Sequence, residues 1–399
     1  MFIICFQNAI IKSNISGRAD FMRSLFKNKI FLVLIFVIFI VSVHFEYFSG
    51  VFYRTFYKKN ELDIFLSQIN MYARAFASEP SNKVYLKAEI KDSTGRPIPN
   101  MPIDFSVDNG VGLIQSPSLS TNRNGECIVA YTPPTYFSPE PNGLTADITA
   151  TISGTNKKSV KKIDLVPVPI IFVHGYREGP NVFDNLGDFL IDKGYSCNAI
   201  AYDSTLGVDF ASEELALFLQ NQKREFLNNG IQVTKFDLIT HSMGGLVARY
   251  YSSSRGYIEN NDINKIIFLS VPHRGSILAS IAENYYDDQS IKNLMPDNEL
   301  FSETFGRMIN KGLNSSIQVG NILSQYDEVV SEENASLDKW GIRTEIFGVG
   351  ENSFTMDSLL SGNILDAPNH KGILNNNRVF GRILQMLSSD LPYPTASSK

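Results

Sequence analysis

The chain has 399 residues, too long for one small domain and enough for two. Hydrophobic residues make up 43% and charged residues 19%, which allows buried cores and excludes a largely disordered protein. A formal net charge of -5 without a long basic run argues against nucleic acid as a partner, and the three cysteines, Cys5, Cys127 and Cys197, are too scattered for a disulfide framework.

The N-terminal region, residues 1–60, bears on location. Ile30 to Val43 is almost wholly apolar and lies between Lys29 and Glu46. Such a run is long for the core of a signal peptide and short for a spanning helix. Arg23, Lys27 and Lys29 precede it, the charge expected on the cytoplasmic side. Phe45, Tyr47, Phe48, Phe52 and Tyr53 follow, as in an interfacial belt, with no small-x-small cleavage pattern and no lipobox cysteine. The expectation is an uncleaved membrane anchor that places the rest outside the cytoplasm; a cleaved signal and a buried soluble helix are the alternatives. Residues 1–21 are an unusual lead, and initiation at Met22 would leave a short basic one.

From about Asn82 the pattern has period two. Val84, Leu86, Ala88 and Ile90 alternate with Tyr85, Lys87, Glu89 and Lys91, which predicts a half-buried strand. Ser93-Thr94-Gly95-Arg96-Pro97 marks a turn, and Ile103, Phe105 and Val107 alternate next. Turns at Asp108-Asn109-Gly110 and Asn122-Arg123-Asn124-Gly125 follow, then alternation at Ala146, Ile148, Ala150 and Ile152. Short strands between regular turns predict an all-β sandwich over residues 78–166. This order of segments resembles bacterial immunoglobulin-like domains of the invasin group, which implies a spacer or adhesion module.

Pro167-Val168-Pro169 then forms a stiff join. Beyond it, over residues 168–390, strands and helices alternate. Strands are expected at Ile170–Val173, Ser196–Tyr202, Phe236–Thr240, Lys265–Val271 and Val319–Leu323. Helices are expected near Asn181–Lys193 and Gly207–Asn229, and from Met243. This alternation predicts an α/β class: a doubly wound, mostly parallel sheet.

Thr240-His241-Ser242-Met243-Gly244-Gly245 sits at a strand-to-helix junction, the context of a nucleophile elbow. Ser242 is the candidate nucleophile, with Gly244 and Gly245 allowing strand and helix to approach. Thr240 stands where the G-x-S-x-G pattern has glycine. The plain alternative is a helix N-cap serine. An acyl-transfer serine needs an oxyanion hole. The Met243 N–H would supply one donor, and the loop Val173-His174-Gly175-Tyr176 follows the first strand where the second belongs.

The acid and base are sought after the serine, in the order of an α/β-hydrolase. Of the later histidines, His273 precedes any credible acid, whereas His370 lies in a late loop before the helix containing Val379, Ile383, Leu384 and Leu387. Asp327 follows the Val319–Leu323 strand, with Glu328, Asp338, Asp357 and Asp366 as rivals. Ser324-Gln325-Tyr326-Asp327-Glu328-Val329-Val330 resembles the S-x-x-D-x-x-V signature of bacterial lipases. Together the motifs resemble the bacterial lipase and esterase group that includes deacylases acting on glycolipid anchors. The resemblance implies an α/β-hydrolase fold, the triad Ser242, Asp327 and His370, a second oxyanion donor at the Tyr176 N–H, and His174 as a structural loop histidine.

Between Ser276 and Ser315 the alternation breaks, with Ile281, Ile291, Leu294, Met295, Leu300, Phe301, Phe305 and Met308 scattered among polar residues. This reads as a cap favouring lipid or long acyl esters, against the plainer reading of a packed helix pair. Gly350 to Ala367 reads as an insertion. No cofactor is implied and no metal-ligand cluster is legible. The competing functions are an acyltransferase, thioesterase or amidase on the same triad, and a non-catalytic surface adhesion protein.

Overall fold

The computed structural model describes residues 61–135, 143–349 and 367–396. The expected apolar N-terminal helix and all but the last residue of the expected insertion lie outside these residues. Among the described residues, no helix is long and apolar enough to cross a membrane.

The first part is all β: β1 (Leu62–Gln68), β2 (Ala75–Ala77), β3 (Val84–Asp92), β4 (Pro102–Val107), β5 (Leu113–Ile114), β6 (Ser118–Ser120), β7 (Glu126–Thr132), β8 (Leu144–Ile152) and β9 (Lys158–Val166). One sheet has the order β1-β3-β7-β5, and the other contains β2-β9-β8-β4-β6. The period-two residues point inward. Leu62, Ile64, Leu86, Ala88 and Ile90 of the first sheet meet Ile103, Phe105, Ala146, Ile148 and Ala150 of the second in one apolar cluster. The strands begin earlier than residue 78, where the sequence pattern placed the start: β1 pairs antiparallel with β3 from Leu62 opposite Asp92.

The second part contains β10 (Ile170–Val173), α1 (Asp184–Asp192), β11 (Cys197–Ala199), α2 (Val208–Asn228), β12 (Ile231–Gln232), β13 (Phe236–His241), α3 (Met243–Ser253) and β14 (Ile263–Leu269). After these come α4 (Ile277–Ala282), α5 (Gln289–Leu294), β15 (Gln318–Ser324), β16 (Thr344–Phe347), α6 (Pro368–Gly372) and α7 (Asn377–Leu387). The sheet order is β11-β10-β13-β14-β15-β16, every pair parallel. Both faces are covered, as the continuous apolar runs require. Ile171, Val173 and Leu238 pack beneath α2 and α3, while Ile170, Phe172 and Ile239 pack with α1 and α7. α7 buries Val379, Phe380, Ile383, Met386 and Leu387, spaced for one helical face, and Asn376 caps it through the Arg378 and Val379 N–H groups.

The order in which strands are added reverses at β10: the chain first steps outward to β11, then returns to the other side of β10. In parallel sheets ligands bind at such a switch point, beyond the carboxyl ends of the strands. That is where the loops after β10 and β13 lie. The two parts are also stitched together beyond their proline-rich join, because β12 pairs in parallel with β2 and extends the second β-sheet.

Candidate active site

Ser242 stands between β13 and α3 with φ 51° and ψ −129°, a left-handed conformation that costs a non-glycine residue about 1–3 kcal/mol. It occupies the N-cap position of α3, but its side chain makes no capping hydrogen bond. Two nearby glycines leave the room that the turn needs. A Cβ on Gly244 would stand 2.2 Å from the Val173 carbonyl oxygen, and one on Gly175 would stand 2.8 Å from the Ser242 Cβ. Thr240 does not obstruct the elbow. It is fully buried in the ladder between Val173 and Phe268. Met243 opens α3, so its N–H has no intrahelical acceptor. Tyr176, from the loop after β10, lines the same cavity as Ser242.

His370 lies on α6 and faces that cavity. Its Nδ1 is 2.9 Å from each carboxylate oxygen of Asp327, which follows β15. With Nδ1–H donating to Asp327, Nε2 keeps a free lone pair. The Val329 and Val330 N–H groups donate to Asp327 Oδ1 at 2.9 and 2.8 Å. Burial works against charge on Asp327, but the facing His370, with hydrogen bonds from the Ser270 side chain and the Val330 N–H, holds its carboxyl below the usual range. Burial likewise disfavours His370 imidazolium. The Asp327 charge and hydrogen bond, with Glu178 and Glu328 further off, outweigh burial and raise the His370 pKa above its ordinary value.

The rival residues have other partners. Glu328 accepts the backbone N–H groups of Asn369 and His370, both at 3.0 Å, and so secures the histidine segment without touching the imidazole. Asp338 starts a short 3₁₀ turn, and Asp357 and Asp366 lie outside the described residues. His174 is buried against Tyr202, ring centroids 4.2 Å apart, with Nδ1 3.0 Å from the Gly175 carbonyl. His273 is buried between Arg249 and Asn321, and burial with the Arg249 charge pushes its pKa well below normal.

Two residues that the sequence reading gave no role join this group. Glu178 Oε2 accepts the Gly175 N–H at 2.8 Å and lies 2.8 Å from His241 Nδ1. Burial alone would raise the Glu178 pKa; the imidazoles of His241 and His370 reverse this and hold it at about 2.

Most of the remaining cavity wall is apolar, although Ser276 and Lys371 also line it. Leu278, Ala279 and Ala282 of α4, Ile291 and Leu294 of α5, and Val329 line it. The Ser276–Ser315 stretch thus supplies one side of the site. Asp288, the N-cap of α5, accepts the Tyr176 hydroxyl at 2.6 Å and ties this stretch to the loop after β10. Among the described residues, no group of three or more His, Cys, Asp or Glu side chains could hold a metal ion.

Among solved structures, the chain is similar to the mature lipase BlEst2 of Bacillus licheniformis, with 16% identity and a TM-score of 0.43 over 56% of this chain and 92% of that one. It is also similar to carboxyl esterase 2 of Tuber melanosporum, at 16% identity and TM-score 0.38 over 63% and 85% of the two chains. A third likeness is to phospholipase PlaB of Legionella pneumophila, at 16% and 0.37 over 55% of this chain and 61% of that one. No curated protein sequence matches the chain. Residues 211–338 match the family model described as PGAP1-like alpha/beta domain. The second part of the chain is an α/β-hydrolase fold whose central segment, from α2 through the Asp327 loop, is similar to PGAP1-like alpha/beta domains.

Proposed function

We propose that the chain is a serine hydrolase that cleaves carboxylic esters with apolar acyl groups, through Ser242, His370 and Asp327. The observation that carries this reading is one cavity with a strained elbow serine, a histidine bonded to a buried aspartate, and mostly apolar walls. The Ser242 hydroxyl attacks the ester carbonyl while His370 Nε2 takes its proton. Asp327 holds the imidazole in the required tautomer and stabilises imidazolium as it forms. The tetrahedral oxyanion is bound by the N–H groups of Met243 and Tyr176. Imidazolium then protonates the leaving alcohol, leaving an acyl-enzyme on Ser242. A water molecule, deprotonated by His370, attacks the acyl carbon, releases the acid and restores the serine.

The two-sheet part fits an immunoglobulin-like spacer. With the apolar segment at residues 30–43, it supports an extracytoplasmic, membrane-attached hydrolase facing lipid substrates. A series of nitrophenyl esters of increasing chain length tests the substrate. The expected outcome is a kcat/KM that rises from acetyl toward longer acyl chains. A preference for acetyl over decanoyl esters contradicts the lipid assignment.

A further inference from the structure

Three separate loops must hold register for this chemistry: the oxyanion loop after β10, the elbow after β13, and the histidine segment α6. One buried pair touches all three. Glu178 Oε2 accepts the Gly175 N–H, which precedes the oxyanion donor Tyr176, at 2.8 Å. The same oxygen is 2.8 Å from Nδ1 of His241, the residue directly before Ser242. His241 Nε2 lies 3.2 Å from the backbone carbonyl oxygen of His370, and the two imidazole centroids are 4.7 Å apart. The side chains of Glu178 and His241 are 7% and 0% exposed. Water therefore offers these groups little alternative hydrogen bonding, and a fixed geometry follows.

We infer that Glu178 and His241 form a positioning bridge that sets the distance between oxyanion donors, nucleophile and base. This rests on the serine-hydrolase reading above and adds two residues to it. Neither residue needs to touch the reacting atoms. Glu178 fixes the Gly175–Tyr176 backbone, His241 fixes the His370 backbone, and their contact joins the two across Ser242. Errors of about 1 Å in such an arrangement cost roughly 100-fold in rate.

The test uses the full chain and nitrophenyl ester hydrolysis, with activity expressed per folded molecule from circular dichroism. Glu178→Gln, His241→Gln and the double variant are compared with wild type. Each single substitution is expected to lower kcat by about 10–100-fold while KM stays within about threefold. The double variant is expected to fall no further than the weaker single, because one bridge is broken only once. A second readout is the acid limb of kcat/KM, which follows His370 in the free enzyme. Asp327, Glu328 and Glu178 are the carboxylates facing His370, with His241 and Lys371 as its basic neighbours. Removing the Glu178 charge is expected to move the limb to lower pH.

Unchanged kcat in both singles, losses that multiply in the double, or a rise confined to KM would each overturn the bridge. Should Glu178→Gln fail to fold, His241→Gln decides alone, since it leaves Glu178 bonded to the Gly175 N–H. A wild type that hydrolyses no ester overturns the hydrolase reading instead.

Discussion

At the scale of single residues, the proposed mechanism depends on one proton-carrying ring. In it His370 must be neutral to accept the Ser242 proton, and its pKa is raised by the Asp327 pair against the effect of burial. Activity is therefore full at higher pH and lost as pH falls through that raised value. The acid limb of kcat/KM is expected to have its midpoint above about 6.5, the ordinary imidazole value. Asp327→Asn removes the charge and disturbs the tautomer, so kcat should drop by roughly 10³–10⁴-fold and the limb should move to lower pH. A pH–rate profile of both proteins checks this; coincident limbs would contradict it. Ser242, Asp327 and His370 could be named as candidates from the sequence because each sits in a local context, an elbow, a post-strand loop and a late loop. Glu178 and His241 could not. Their contact joins residues 63 positions apart, and no local period or motif marks it.

At the scale of elements, strands with unbroken alternation were the easiest to read. β3, β4 and β8 fall where the period-two residues stand, and the buried strands β10, β13 and β15 fall on the apolar runs. β1 escaped notice because Leu62, Ile64 and Leu66 follow closely on the aromatic segment taken for an interfacial belt. β14 lies slightly earlier than expected, at Ile263–Leu269, because Ser270 leaves the strand with φ 49°. The Ser276–Ser315 segment has short helices where no period was visible, and the cap on α5 is testable. Asp288 caps α5 through the Ile291 N–H and also accepts the Tyr176 hydroxyl. Asp288→Asn keeps a good cap, whereas Asp288→Ala loses cap and tie, so the alanine variant should be less stable by about 1 kcal/mol. Denaturant unfolding of the two variants checks the sign; equal midpoints would show that the cap adds nothing there.

At the scale of the whole molecule, the junction and the site lie at opposite ends of the strands of the parallel sheet. β9 leads into the amino end of β10, and β12, paired with β2, precedes the amino end of β13. Ser242, Tyr176 and Asp327 all follow carboxyl ends. Among the described residues, none that lines the cavity belongs to the two-sheet part. The seam is specific: Asn82, fully buried, donates to the Ala77 and Gln232 carbonyls, both at 2.9 Å, and accepts from the Gln232 side chain at 2.9 Å. The sequence announced two domains and a stiff join. It did not announce this seam, since a two-residue strand such as β12 is too short to show a period.

The central claim, that Ser242 is the activated nucleophile, is tested most directly by fluorophosphonate labelling of the full chain with mass spectrometry of its peptides. One adduct is expected, on Ser242, absent in Ser242→Ala and formed far more slowly in His370→Ala. An unlabelled wild type, or equal labelling of Ser242→Ala, would contradict it.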